Sequence, residues 1–312
     1  MKIGITLGDP LGIGPEVIQK ALQADSLPQD VEFVIYGDEK IFSDLWREGA
    51  RGAPRRVALT QGPQGRTWTP AECGHASLSY LGRAVEEARA GKIEALVTAP
   101  ICKAHLQKAG YPYPGHTEFL ASATKAPKVV MMMASEALKV SLVTIHVPLK
   151  EVPRLLTREK IRETVKITVD SLKTYWGLKN PRIAVCGLNP HAGEEGILGR
   201  EEIDLIAPAL RDLREEGTPV DGPAVPDAVF HQAHEGAYDA VVCMYHDQGL
   251  IPFKMLHFRD GVNVTLGLPI IRTSPDHGVA FDIAGKGIAD PSSMIAAIEL
   301  AVQMAKIKKG KK

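Results

Sequence analysis

Residues 239–254 read DAVVCMYHDQGLIPFK, and the fold turns on how that stretch is read. AVVCMY is a continuous apolar run of strand length, and it stops at His246 and Asp247. A strand buried on both faces needs no ionisable residue at its end. In open α/β sheets, however, ligands bind beyond the carboxyl ends of the strands. The pattern recurs elsewhere: KVSLVTIH closes on His146, and RIAVCGLNP leads directly to His191. Further apolar, β-branched runs (KIGITLG, EFVIYGD, EALVTAP, KVVMMMA, VNVTLGLP) are separated by helical patterns. PEVIQKAL, ASLSYLGRAVEEARAG, REKIRETVKITVDSLKTYW and REEIDLIAPALRDLREEG are the clearest of these. Such alternation predicts an α/β fold with largely parallel sheets. RGAPRR…QGPQGRTWTP (51–70) reads as a Gly/Pro-rich surface excursion, and the terminal KIKKGKK as a solvated tail.

The chain has 312 residues, enough for two domains and a substantial core. Hydrophobic residues make up 45% and charged residues 24%, the balance of an ordinary globular protein. Basic and acidic residues number 37 each, so no global charge favours nucleic acid or an anionic membrane as partner. Cys73, Cys102, Cys186 and Cys243 are scattered without a CxxC pair, which fits a reducing cytoplasm. MKIGITLGDP lacks a signal-like apolar region, and no apolar run is long enough for a membrane span.

Three imidazoles delivered by separate strands to one sheet edge can converge on a divalent metal with a position left for substrate. The plain alternative is three unrelated histidines that cap strands. HQAH (231–234) has ligand-like spacing but lies in a polar stretch and reads as surface. His116 and Thr117 in GHTEFLA stand where either can cap a helix. Lys103 follows the strand EALVTAP in the first turn of a helix, where a cation is disfavoured, which suggests a negative partner. Lys254, Asn263 and Arg272 together suit a phosphate or carboxylate, although each alone reads as an ordinary polar residue. GDPLGIGPEV joins a strand to a helix without the G-x-G-x-x-G spacing. DHGVAFDIAGKGIADPSSM (276–294) is a glycine-punctuated loop before a helix.

Taken in order, GDPLGIGPE, GHTEFLA, LNPHAGE, YHDQGLIPFK and GVNVTLGLPIIRTSPDHG resemble the 4-hydroxythreonine-4-phosphate dehydrogenase family of vitamin B6 biosynthesis. HGVAFDIAGKGIADP is also similar to the adenosine-binding loop of isocitrate and isopropylmalate dehydrogenases, although Asp290 stands where asparagine is usual there. The resemblance implies a two-domain α/β fold of that kind, with the active site in the cleft and at a homodimer interface. Residues 1–125 and 260–312 would form the cofactor-facing domain and 126–259 the central metal, substrate and dimerisation domain. It implies His146, His191 and His246 as ligands of one zinc, magnesium or cobalt ion, with His146 crossing between subunits. His116, Thr117, Lys254, Asn263 and Arg272 would contact substrate, and His277, Gly278, Asp282 and Ile283 would hold NAD or NADP. Asp247 or Lys103 would take the hydroxyl proton. The activity implied is oxidation of 4-phosphooxy-threonine at C3 followed by decarboxylation. The LHFRD portion after Lys254 varies from the family, which bears on substrate choice, and phosphoerythronate is an alternative substrate. From other classes, a metal-dependent phosphohydrolase or acyltransferase would have no use for the cofactor loop. A non-catalytic metabolite sensor would need an output module that the sequence does not show.

Overall fold

The computed structural model describes residues 1–45, 54–63, 67–113 and 115–310. Its strands are β1 (Lys2–Thr6), β2 (Glu32–Asp38), β3 (Arg55–Thr60), β4 (Ala95–Thr98), β5 (Val130–Ala134) and β6 (Lys139–Leu142). They continue with β7 (Ile183–Cys186), β8 (Val220–Ala224), β9 (Ala240–Cys243), β10 (Val262–Leu266) and β11 (Ile271–Pro275). The chain forms two compact units, one from Met1–Pro127 with Leu268–Lys306, the other from Lys128–Gly267 with Ile307–Lys312.

In the first unit the strand order is β3-β2-β1-β4-β11, and every pairing is parallel. Ile3, Ile5, Val34, Ile35, Leu96 and Val97 have no exposed surface, as expected where helices cover both faces of a parallel sheet. The helix Pro70–Arg89 starts at a capping box in which Thr69 and Glu72 exchange side-chain and backbone bonds. The helix Ser292–Gly310 packs Met294, Ala297, Ile298 and Ala301 inward. It runs through most of the basic tail expected to be solvated, and Lys308 Nζ lies 5.6 Å from the ring centre of Tyr175 in the second unit, to which Lys308 also belongs.

The second unit has the order β10-β5-β6-β9-β7-β8. β5 runs antiparallel to both neighbours, while β6, β9, β7 and β8 are mutually parallel. Its core includes Met133, Val140, Leu142, Ala184, Cys186, Val241, Cys243 and Phe253. The helix Arg158–Tyr175 buries Ile161, Val165 and Leu172, and Thr168 donates to Ser141 on β6 at 2.9 Å. The return to the first unit comes at Leu268 rather than at residue 260, because β10 pairs with β5.

Within the expected surface excursion, residues 55–60 instead form the edge strand β3, paired to β2. Its residues 51–53 and 64–66 lie outside the described ones. No helix among the described residues is long and apolar enough to cross a membrane. The four cysteines are free thiols.

Candidate active site

Because β6, β9 and β7 are parallel neighbours, the residues after them emerge at one edge of the second unit's sheet. His146 and His246 meet there, their ring centres 5.4 Å apart. His246 opens the helix His246–His257, and its Nδ1 is 2.7 Å from Asp247 Oδ1. A carboxylate on Nδ1 fixes the ring and leaves the Nε2 lone pair for a metal, the usual arrangement around a ligating histidine. His146, the residue expected to cross between subunits, lies beside His246 of its own chain. That imidazole pair with a carboxylate behind it is a donor set that fits a divalent ion.

His191 is presented differently. From His191 to Glu195 the backbone is left-handed, with φ values of 51, 52, 82, 43 and 55°. Four of those residues have side chains, and each pays on the order of 1–2 kcal/mol for that conformation. Buried hydrogen bonds hold the turn in place. Glu202, 3% exposed, accepts from Leu188 N at 2.6 Å and Asn189 N at 2.8 Å through Oε1. Its Oε2 accepts from Asn189 Nδ2 at 3.0 Å. Gly193 must be glycine twice over: its φ is 82°, and a Cβ would lie 2.6 Å from Glu202 Oε2. His191 itself is exposed.

In the first unit, Arg272 of β11 is 3% exposed and donates from Nε and Nη2 to Thr98 Oγ1 of β4, at 3.1 and 2.7 Å. Burial lowers its pKa to about 10. His116 lies near enough that Arg272 adds to the effect of burial in pushing its pKa well below the usual value. The buried His116 Nε2 has no hydrogen-bond partner among the described residues. Neither His116 nor Thr117 caps the helix His116–Thr124, whose first position follows Gly115. Lys103 is exposed, and its Cε lies 3.7 Å from the point where a Cβ on Gly115 would stand. A buried guanidinium, a neutral imidazole lacking a partner and a lysine beside a helix start fit an anion. In the second unit, Asn263 is half-buried on β10, and Lys254 Nζ is 6.0 Å from the Phe258 ring centre.

GDPLGIGPEV has a structural task that its composition did not reveal. Ile13 N donates to Val279 O at 2.9 Å, and Glu16 Oε1 accepts from Ala289 N at 2.8 Å. Lys20 Nζ donates to Glu16 and to the carbonyls of Gly287 and Ala289. The strand-to-helix turn thus fastens both ends of the glycine-rich loop. Burial opposes ionisation of Glu16, but these bonds and Lys20 outweigh it and lower its pKa. Along the loop, Gly278, Phe281 and Asp282 are exposed, and His277 Nε2 is buried without a partner among the described residues. Ile283 is half-buried, its N–H donating to Ala280 O at 3.1 Å. An orphaned imidazole nitrogen in an open, firmly anchored loop fits a nucleotide. Asp290 turns its Oδ1 onto Ser292 N and Oγ at the start of the final helix.

Sequence reading missed Asp9, Cys102 and His105. One donor atom from each lies within 4.8 Å of the others, and among the described residues this is the only such trio of potential metal ligands. His191 is therefore not brought into a three-donor cluster with His146 and His246. Asp9 is fully buried, with Oδ2 2.7 Å from His105 Nδ1 and Oδ1 accepting from Leu11 N at 3.0 Å. Those bonds satisfy the carboxylate without an ion. Cys73 beside it has its thiol pushed up to about 12, first by burial and then by Asp9. The His105 ring sits 5.3 Å from Phe281 of the glycine-rich loop. The C-x-x-H spacing of Cys102 and His105 was the available signal, but Asp9 is too distant in sequence for spacing to join them.

A family model described as pyridoxal phosphate biosynthetic protein PdxA matches residues 17–301. The chain is 47% identical to the 4-hydroxythreonine-4-phosphate dehydrogenase of Desulforapulum autotrophicum, covering 98% of this chain and 96% of that one. The crystal structure of the Klebsiella pneumoniae enzyme of that name superposes with a TM-score of 0.88 at 41% identity, covering 97% and 98% of the two chains. A terephthalate 1,2-cis-dihydrodiol dehydrogenase from Burkholderia xenovorans superposes at 0.70 and 30% identity, with the same coverage.

Proposed function

The chain belongs to the PdxA family of pyridoxal phosphate biosynthetic proteins, and from that premise we propose that it oxidises 4-phosphooxy-L-threonine at C3. The keto acid formed, 2-amino-3-oxo-4-phosphooxybutanoate, then loses its carboxyl group as carbon dioxide, leaving 3-amino-2-oxopropyl phosphate. NAD or NADP is the hydride acceptor. The observation that carries the reading is the pair of His146 and His246 rings at one sheet edge, backed by Asp247.

His146, His191 and His246 would hold one divalent ion. When bound, such an ion lowers the pKa of a hydroxyl and polarises the ketone that follows. Asp247 orients His246 through Oδ1; its carboxylate is largely exposed and takes the C3 hydroxyl proton as hydride leaves C3. Lys103, lying beside the His116 segment, joins the anion-binding groups rather than acting as base. Arg272, His116 and Thr117 bind anionic or polar groups of the substrate, as do Lys254 and Asn263, which limits its freedom at C3. His277, Gly278, Asp282 and Ile283 hold the nucleotide. Four free thiols suit the reducing cytoplasm.

A homodimer is part of this reading. Ile251, Met255 and Phe258, at 60, 82 and 75% exposure, follow helical spacing along and just past the helix His246–His257. A second copy of the chain is the occupant proposed for that face.

The test is nicotinamide reduction with three substrates supplied separately: 4-phosphooxy-threonine, 4-phosphoerythronate and an unphosphorylated cis-dihydrodiol. A kcat/KM highest for the first supports the proposal. Turnover of the diol alone, the chemistry named for the Burkholderia xenovorans relative, would replace it.

A further inference from the structure

We propose that Glu202 and Gln248 are positioning residues that fix the strained turn presenting His191; the proposal rests on the reading of His191 as a metal ligand. Glu202 sits behind the left-handed turn with no cation against it among the described residues. Its charge is met by Leu188 N, Asn189 N and Asn189 Nδ2, all from the two residues just ahead of the turn. Asn189 Nδ2 also donates to Glu201 at 2.7 Å. Two glycines make room for the carboxylate: a Cβ on Gly187 would lie 3.0 Å from Oε1, and one on Gly193 2.6 Å from Oε2. A buried carboxylate satisfied only by one loop's donors fixes the path of that loop.

Gln248 links this loop to the other one. It is 8% exposed, its Oε1 accepts from Met244 N at 2.7 Å, and its Nε2 donates to Gly187 O at 2.7 Å. Met244 lies two residues before His246, and Gly187 four before His191. One amide therefore ties the end of β9 to the end of β7. The amide does both jobs, accepting at one end and donating at the other, where an ionised carboxylate could only accept. The left-handed backbone would relax toward ordinary conformations without such ties, carrying His191 away from its place. Residues behind a metal ligand commonly alter affinity ten- to a hundredfold.

The experiment measures Co(II) binding to the full-length chain by visible absorption and chelator competition, alongside thermal melting. Glu202→Gln keeps size but puts an amide donor among donors, and should weaken Co(II) binding ten- to a hundredfold while the protein stays folded. Gln248→Glu keeps the bond to Met244 N but turns an oxygen toward Gly187 O, and should act in the same direction. It carries the test should Glu202→Gln fail to fold. His191→Ala is the control for the underlying reading. If His191→Ala loses Co(II) while both other variants bind like the parent, even with lower melting temperatures, the two residues are merely structural and the proposal falls. If His191→Ala itself binds Co(II) like the parent, the metal reading fails, and the proposal with it.

Discussion

Replacing Arg272 by methionine should disable the protein while leaving its ligand-free stability little changed. Burial moves the Arg272 pKa from its ordinary 12.5 to about 10, which corresponds to roughly 3 kcal/mol against carrying the charge in the folded state. Methionine fills much of the same space without charge. It forfeits the bonds that the guanidinium makes, those to Thr98 Oγ1 among them, and a bond from a charged donor is worth about 1.5–3 kcal/mol. The two effects are of similar size and opposite sign, so the melting temperature should move by a few degrees at most. An anionic substrate loses a charge-assisted contact worth about 1.5–3 kcal/mol, so its KM should rise about ten- to a hundredfold while that of NAD changes little. Calorimetry with and without substrate, followed by steady-state kinetics, reads both effects. A variant that melts several degrees lower and keeps its substrate KM would show that Arg272 serves the fold and not the site.

Three further outcomes follow from the geometry. His116 has its pKa depressed by burial and by Arg272, so below about pH 6.5 the unfolded chain takes up a proton that the folded one refuses. Stability should fall as pH drops from there toward the folded value, and His116→Asn should flatten that slope in urea titrations; an unchanged slope would rule His116 out as its source. Glu16→Gln should weaken NAD binding several-fold in calorimetric titration without altering bound metal, since Glu16 fastens only the glycine-rich loop; equal losses of both would contradict this. If the two rings that adjoin within one chain also serve one ion, heterodimers of His146→Ala and His246→Ala should stay inactive, since every site would carry one defect; recovered activity would mean that the ligands cross.

The strands that sequence reading found are those with continuous apolar stretches, and these are the buried ones. β3 and β8 were missed because they are edge strands, where one side meets solvent and residues such as Arg55, Asp221 and Gly222 are tolerated. β11 was missed for another reason: it is fully buried yet reads IRTSP. Its polar side chains find partners inside, Arg272 on Thr98 and Thr273 on the Ala297 carbonyl, and composition cannot show that. At the site, strand-end histidines were legible because an imidazole after an apolar run is conspicuous. Glu202 was not, since in REEIDLIAPAL it looks like any acidic residue at a helix start, and only the fold brings it behind Asn189. The left-handed turn itself left a trace in LNPHAGEEG, whose glycines hint at unusual backbone but not at its handedness.

The most direct test of the account is carbon dioxide release measured together with nicotinamide reduction from 4-phosphooxy-threonine. It should be run on chelator-stripped protein and again after one equivalent of divalent ion per chain is returned. The stripped protein should show no reaction, and equal amounts of carbon dioxide and reduced nicotinamide should appear once the ion is restored. Full turnover without the ion, or none with it, would contradict the account.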